Sequence, residues 1–431
     1  MRERLERAAR RLQARDLDGA ERDLRRVLQD SPGDPVAHNL LGLVHLERPA
    51  LPEALTEFAT AIRLRDPYPE ALVNLAVACN RSGQHELALA ACAKVLEHEP
   101  RHALALVNQG MAWKGLRLLD EAKRSFDLAR PHPKALYNLG HVLLLEDDLE
   151  RGLPLLEHRR GLLRTGAGLA GEPWDGTPRP ADTLLVIPEQ GLGDFLLMSR
   201  FFPALADRFA RVVVHAPVPL ARLLAAQDPR LDVVTSLDVR TWDCWAPIMS
   251  LPLLTGVRSL AELPTAPWLR APDAVAPAPP AGRPLRVGVN WAGNPAYAYD
   301  AVRSTPLDAF ADLLALPGVE WVSLHRGVRE AEAEAFGLPQ PLREARDFLD
   351  TAGVIAGLDA VVSTETAVPN LSAALGVPTC VMSVRDVDWR WTGWYRGVTV
   401  CAQEASGDWG APVAAAAEVL RALAPAVRSA A

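Results

Sequence analysis

The sequence predicts an α + α/β protein, an N-terminal α-solenoid followed by two Rossmann-like, doubly wound α/β lobes. Three observations predict it. Small residues recur every 34 positions up to about residue 160. From Gly176 onward, apolar strands alternate with helices. A stretch dominated by Ala and Pro, 271–284, then reads as an extended linker dividing that part in two. At 431 residues the chain has room for two or three domains, and 49% hydrophobic with 23% charged residues is a globular composition. The formal net charge of −7 argues against nucleic acid as a main partner, since a phosphate backbone calls for a basic face. No stretch reaches the roughly 18 apolar residues of a membrane span. The N-terminus alternates charges along a helix without an apolar core of signal-peptide length, so a cytoplasmic protein is expected. The five cysteines (Cys79, Cys92, Cys244, Cys380 and Cys401) are scattered in no metal-ligand spacing, so reduced thiols and no metal site are expected.

In the repeat region, 1–160, one series of small residues is Ala8, Gly42, Ala76 and Gly110, and a second is Ala20, Ala54, Ala88 and Ala122. Two helices per unit account for both series. Small residues sit where helices cross closely, and larger ones such as Leu41, Leu75, Phe58 and Phe126 fill the seams. Pro32 and Pro100 close their units, and Gly140 with Gly152 marks a fifth, degenerate unit whose register slips by four residues at 130–133. That unit's helices are expected to dock onto the domain that follows. The pattern resembles the tetratricopeptide repeat (TPR), whose concave face implies a protein or peptide partner. A structural spacer or dimerisation element is the other reading, and the mixed charges do not name a ligand.

A connector, 161–182, leads to the first lobe, 183–270. Its expected strands are Thr183–Ile187, Arg211–Ala216 and Leu231–Leu237, with Cys244–Met249 as a candidate fourth. Gln190-Gly191-Leu192-Gly193-Asp194 makes a turn into a helix over Phe195–Leu205, and Leu220–Gln227 is a second helix. The second lobe, 285–410, has strands expected at Leu285–Trp291, Glu320–Leu324, Ala360–Thr364 and Thr379–Ser383. Helices are expected at Pro306–Leu316, Asp350–Gly357 and Ala367–Gly376, and the segment 411–431 forms a last helix. A glycine-rich strand-to-helix turn exposes N–H groups suited to phosphate. This turn lacks the third glycine of G-x-G-x-x-G and an acidic residue at the ribose offset, which disfavours a dehydrogenase or epimerase. Packing alone also accounts for two glycines. A pair of such lobes implies a ligand cleft at the carboxyl ends of their strands, as in GT-B glycosyltransferases or lobed binding proteins.

Several stretches occur together and in order: Glu189–Asp194 (EQGLGD), Pro247–Pro252 (PIMSLP), Val287–Pro295 (VGVNWAGNP) followed by Arg303-Ser304, and Asp347–Val368. Ala373–Pro378 (AALGVP), Asp388–Trp391 (DWRW) and Gly407–Trp409 (GDW) complete the set. As a set they resemble bacterial TPR proteins with a C-terminal glycosyltransferase domain related to the lipopolysaccharide heptosyltransferases, and more distantly the protein O-GlcNAc transferases. The resemblance implies a GT-B pair of lobes, an inverting transfer from a nucleotide-sugar, and no metal or other cofactor.

It also implies roles for particular residues. Asp194 matches the proposed general base, although an aspartate at a helix start is also an ordinary cap. The turn carrying Thr364, Thr366 and Ala367 matches the one that holds the donor diphosphate, with Arg303 as the nearby cation. Gln190, Gly191, Gly193, Asn290, Asn294, His325, Glu365, Asn370 and Arg390 fall in the donor or acceptor pocket. Arginine between two tryptophans, at Arg390, suits stacking near the cleft. Three positions depart from the family pattern. Glu365 stands for aspartate, Asn370 (after Pro369) for histidine, and His325 for glutamine. Asparagine carries no imidazolium charge, so an ionic contribution to diphosphate binding is lost. Two functions therefore stand side by side: a glycosyltransferase whose TPR array recruits a protein acceptor, and a catalytically weak relative kept as a protein-binding scaffold. Nothing in the sequence sets an oligomeric state.

Overall fold

The computed structural model describes residues 1–48, 50–237, 241–265, 267–271, 283–297 and 300–429. Most of the expected Ala/Pro linker, 271–284, and the last two residues of the expected C-terminal helix lie outside the described residues. The chain forms two compact units, Met1–Val142 with Pro295–Val302, and Leu143–Asn294 with Arg303–Ala431.

The first unit is a stack of helix pairs. These are α1 (Arg2–Gln13) with α2 (Leu17–Asp30), α3 (Pro35–Glu47) with α4 (Leu51–Leu64), α5 (Pro69–Arg81) with α6 (His85–His98), and α7 (Ala103–Gly115) with α8 (Leu119–Leu128). Then α9 (Pro133–Leu145) opens the shortened fifth unit. Proline at the first position of α3 and α5 costs no helical hydrogen bond, and Asp34 caps α3 by accepting the Val36 and Ala37 N–H groups at 2.9 Å. A left-handed corner joins the two helices of a pair at Arg15 (φ 61°), Gly83 (φ 73°) and Arg117 (φ 62°), in step with the repeat.

The two series of small residues have a steric cause. A Cβ on Gly42 would meet the Phe58 ring at 2.6 Å, and one on Gly110 would meet the Phe126 ring at 2.5 Å. In the unit between them alanine replaces the glycine at Ala76, and the ring position is Cys92, whose smaller side chain leaves room for the methyl. In the first unit the corresponding pair is Ala8 and Leu24, packed in one cluster. Volume is thus conserved across the seam while its two contributors vary, as close packing requires.

The second unit opens with α10 (Leu149–Leu156) and α11 (Arg159–Leu163) and contains two five-stranded sheets, with every pairing parallel. The first has the order β1-β5-β2-β3-β4, from β1 (Glu172–Pro173), β2 (Arg179–Ile187), β3 (Phe209–His215), β4 (Leu231–Val234) and β5 (Cys244–Pro247). The second has the order β10-β9-β8-β6-β7, from β6 (Leu285–Asn290), β7 (Val319–Ser323), β8 (Ala360–Thr364), β9 (Thr379–Ser383) and β10 (Val398–Ala402). Around the first sheet run α12 (Leu192–Met198), α13 (Phe202–Ala206), α14 (Val218–Ala225) and α15 (Leu251–Leu254). The chain from β6 onward carries α16 (Asp300–Arg303), α17 (Ala311–Leu314), α18 (Glu330–Ala335), α19 (Phe348–Ala356), α20 (Ala367–Ala374) and α21 (Gly410–Ser429). Strands β5, β8 and β9 are buried along their whole length, as parallel strands covered on both faces are. Val413, Ala416, Ala417 and Leu420 of α21, for example, pack in one cluster with Phe310, Cys380 and Cys401.

The architecture is the α + α/β one expected, with local corrections. The helix expected over Phe195–Leu205 starts earlier, at Leu192, so Gly193 and Asp194 are helical rather than turn residues. It breaks into a 3-10 turn at Ser199–Phe201 because Pro203 has no N–H to continue the ladder. The third strand stops at Val234, and the fourth stops at Pro247 and becomes a 3-10 turn. The helix expected over Pro306–Leu316 is a 3-10 turn, Leu307–Phe310, followed by α17. Strands β1 and β10 and helix α18 were not expected, and β2 begins at Arg179, inside the stretch that reads as a connector, 161–182.

Candidate functional site

In each sheet the strand order reverses once, between β2 and β5 in the first and between β6 and β8 in the second. Loops leave such a switch point in opposite directions, so the carboxyl ends of its strands border a crevice. Gln190 and Gly191 make the turn after β2 into α12, whose first turn holds Gly193 and Asp194, β6 ends on Asn290, and Glu365 and Thr366 make the turn after β8 into α20, which begins at Ala367. Helices α12 and α20, which follow the two turns, pack on each other. A Cβ on Gly193 would stand 2.6 Å from Asn370 Nδ2, so glycine is what lets the two helices approach.

From the first turn, Gln190 is left-handed (φ 57°) and Asp194 lies in the first turn of α12, where its Oδ2 accepts the Gly191 N–H at 3.0 Å. Its Oδ1 pairs with Arg390 Nε, and both side chains are about 14% exposed. Arg390 donates hydrogen bonds to Asp388 Oδ1 (2.8 Å) and Oδ2 (2.9 Å) and to Gln190 Oε1 (2.7 Å), with its guanidinium 4.7 Å from the centre of the Trp389 ring. Gln190, Asp194 and Arg390 are thus one group.

A second group lies at the end of β8. Thr366 caps α20, its Oγ1 accepting from the Val368 N–H at 3.2 Å and from Asn290 Nδ2 at 3.1 Å. Asn290 Nδ2 also reaches Ser363 Oγ at 3.1 Å. With Nδ2 committed to hydroxyls, its Oδ1 accepts from His325 Nδ1 at 3.1 Å, which assigns the ring proton to Nδ1. His325 is buried against Trp291, behind Asn290, and burial lowers its pKa despite the Ala292 carbonyl and the charges of Glu330 and Glu332. Arg303 donates to the Glu365 carbonyl at 2.6 Å, and Ala367 is the first residue of α20. The Thr364 hydroxyl is fully buried without a hydrogen-bond partner among the described residues, which is a costly condition.

Asn370 joins the groups and is satisfied at both ends. Its Nδ2 donates to the Thr366 carbonyl (2.7 Å), and its Oδ1 accepts from the Tyr395 hydroxyl (2.6 Å). Tyr395 is buried, which raises its pKa, and stacks between Trp268 and Trp391 at 5.7 and 5.3 Å. Beside it, Arg200 lies 3.9 Å over the Trp268 ring and donates to the carbonyls of Leu197, Trp394 and Pro264. Burial lowers Arg200 to about 10. Asn294 sits exposed within the loop after β6. Two hollows, one at the sheet edge beside Arg286, Trp321 and Gln340 and one beside Pro378, Gly397 and Leu423, contain none of the candidate residues.

Glu365 accepts from Ser383 Oγ at 3.0 Å. Burial, reinforced by Asp388 and Asp386, pushes its carboxyl up to about 8 against the opposing effects of Ser383 and Arg303. A raised carboxyl binds its proton more tightly in the folded state. The stability it contributes is therefore intact below its ordinary value of 4.5 and is lost as the pH climbs toward about 8. Glu365→Gln cannot ionise, so its melting temperature should fall less than that of the wild type across this window. Parallel curves would show that Glu365 titrates normally.

Tyr395, Asp388, Ser383, Arg200 and Trp268 complete the site without having been among the expected residues. Only Asp388 carried a signal, through its place beside Arg390. The others reach the site through long-range packing that leaves no local pattern.

The N-terminal region is built of tetratricopeptide repeats: residues 5–69 and 51–100 match the tetratricopeptide repeat family model. The chain is 24% identical to Protein FlbA of Caulobacter vibrioides, over 59% of this chain and 48% of that protein. It thus spans about half the length of that relative, and the matched share of this chain exceeds its repeat region. Among solved structures it is similar to TTC0263, a thermophilic TPR protein of Thermus thermophilus, at 21% identity, covering 38% of this chain and 92% of that one with a TM-score of 0.35. MamA of Desulfovibrio magneticus is 20% identical, covering 39% and 97% with a TM-score of 0.32. YrrB, described as a TPR protein with an unusual peptide-binding site, is 21% identical, covering 38% and 86% with a TM-score of 0.31.

Proposed function

We propose that the chain is a glycosyltransferase of GT-B type, moving a sugar with inversion from a nucleotide-sugar to a protein held by its TPR array. The observation that carries this reading is the packing of α12 on α20, which sets the helix that begins with Asp194 in its first turn against the helix capped by Thr366, with Arg303 on the Glu365 carbonyl. In this reading the acceptor hydroxyl passes its proton to Asp194 as its oxygen bonds the anomeric carbon. The bond from that carbon to the diphosphate breaks, and the nucleoside diphosphate leaves with the electron pair. Arg303, the Thr364 and Thr366 hydroxyls and the α20 N-terminus stabilise that charge, and no metal or other cofactor takes part. TPR domains bind peptides or proteins, which supports a protein acceptor.

The test is a thermal-shift screen against UDP, GDP, CMP, TDP and ADP. A ligand that binds only the folded state raises its melting temperature by mass action. A rise of several degrees with one nucleotide, lost in Arg303→Ala and Thr366→Ala, is expected, and no rise with any of them would sink the reading. A second reading, a protein-binding scaffold with a weak or silent transferase fold, draws on Asn370. Both ends of its amide are occupied by Thr366 and Tyr395, and Pro369 removes one N–H from the α20 start.

A further inference from the structure

Arg390 is a busier residue than a stacked loop arginine needs to be. It belongs to the second sheet's loops, yet two of its partners, Asp194 and Gln190, come from the first sheet's turn. Asp388, two residues away, holds Nη1 with both carboxylate oxygens, so the guanidinium is tethered at one end. Asp194 has each oxygen engaged, Oδ1 by Arg390 and Oδ2 by the Gly191 N–H. With Oδ1 covered by Arg390 and Oδ2 by the Gly191 N–H, neither oxygen is open to the hydroxyl of an acceptor.

We propose, resting on the donor reading above, that Arg390 is a positioning residue that latches Asp194 until an anionic ligand draws it away. A diphosphate entering between the α12 and α20 turns offers the guanidinium a denser negative charge than one carboxylate does. Arg390 swings on its Asp388 tether, trades Asp194 Oδ1 for phosphate oxygen, and leaves Asp194 with a free oxygen facing the acceptor. The base is then uncovered only when donor is bound, which ties deprotonation of the acceptor to the presence of something to transfer. Asp194 and the ligand therefore compete for one cation.

Competition has a signature that a merely structural ion pair lacks, because the two partners of the latch act on ligand affinity in opposite directions. Titration calorimetry would be run on the full chain with UDP, GDP, ADP and inorganic pyrophosphate as probes. Arg390→Ala should weaken the bound probe on the order of tenfold, the scale of one lost charge-assisted contact. Asp194→Asn removes the competitor and should tighten the same probe several-fold. Arg390→Lys keeps the charge and a foldable side chain, and should fall between wild type and alanine. Weakening in both Asp194→Asn and Arg390→Ala, or no change in either, would overturn the latch while leaving the donor site standing. Failure of the wild type to bind any probe would overturn the latch and the donor reading together.

Discussion

Replacing Arg159 with alanine should destabilise the second unit by about 3–5 kcal/mol, read as a lower urea midpoint. Its side chain is 1% exposed and donates to Glu189 Oε2 (2.8 Å), Glu157 Oε1 (2.7 Å), Ser250 Oγ (2.7 Å) and the Leu156 carbonyl (3.1 Å). Burial works against its charge, yet Glu157 and Glu189 outweigh it and hold the guanidinium above its ordinary value. Glu189 is equally enclosed, with Thr165 Oγ1 on its other oxygen at 2.8 Å. Truncating the arginine leaves that carboxylate buried without its cation, and the orphaned charge accounts for most of the loss. The double variant Arg159→Met with Glu189→Gln, which removes both charges and retains volume, should recover a large part of it. If the double variant is no better than Arg159→Ala, the loss lies in packing instead.

Asp194→Asn should lower turnover by roughly 10²–10⁴-fold, the usual worth of a general base, with the fold intact. Asparagine has the same outline, and its carbonyl can still accept the Gly191 N–H that aspartate accepts at 3.0 Å. It cannot take a proton from the acceptor. The measurement is release of nucleoside diphosphate from the donor identified by the thermal screen, with melting recorded in parallel. A fall of less than tenfold would remove Asp194 from the role of base. A fall accompanied by a much lower melting temperature would assign it to the helix start alone.

Much of the fold was legible because its signals are local and repeated. The alternation of Gly42 and Gly110 with Ala76 marks helix crossings, and the crossing partners Phe58, Phe126 and Cys92 vary in the compensating sense. Apolar runs such as Ala360–Thr364 and Thr379–Ser383 gave their strands to the residue. Strand β10, Val398–Ala402, was missed because it follows a loop of tryptophans and glycines whose composition outweighs five β-compatible residues. The helix start at Leu192 was missed because glycines argue for a turn, whereas here Gly193 is helical and spared a side chain by Asn370. In the site, residues flanking the two turns were visible as motifs. The pairing of Asp194 with Arg390, almost 200 positions apart, and of Asn370 with Tyr395 depends on how two sheets meet, and no local periodicity encodes that.

Arg200 gives the second unit an unusual response to salt. Its partners are three carbonyls and two ring faces rather than a carboxylate, and it is 3% exposed. Mobile ions screen pairs of opposite charge that they can reach, and at 1 M they do so over about 3 Å, but they have little access to a cation shut among dipoles and aromatic rings. The Asp194 and Arg390 side chains keep part of their surface in water. Brine should therefore slacken the contact of Asp194 with Arg390 and leave the bonds of Arg200 to the Pro264 and Trp394 carbonyls taut.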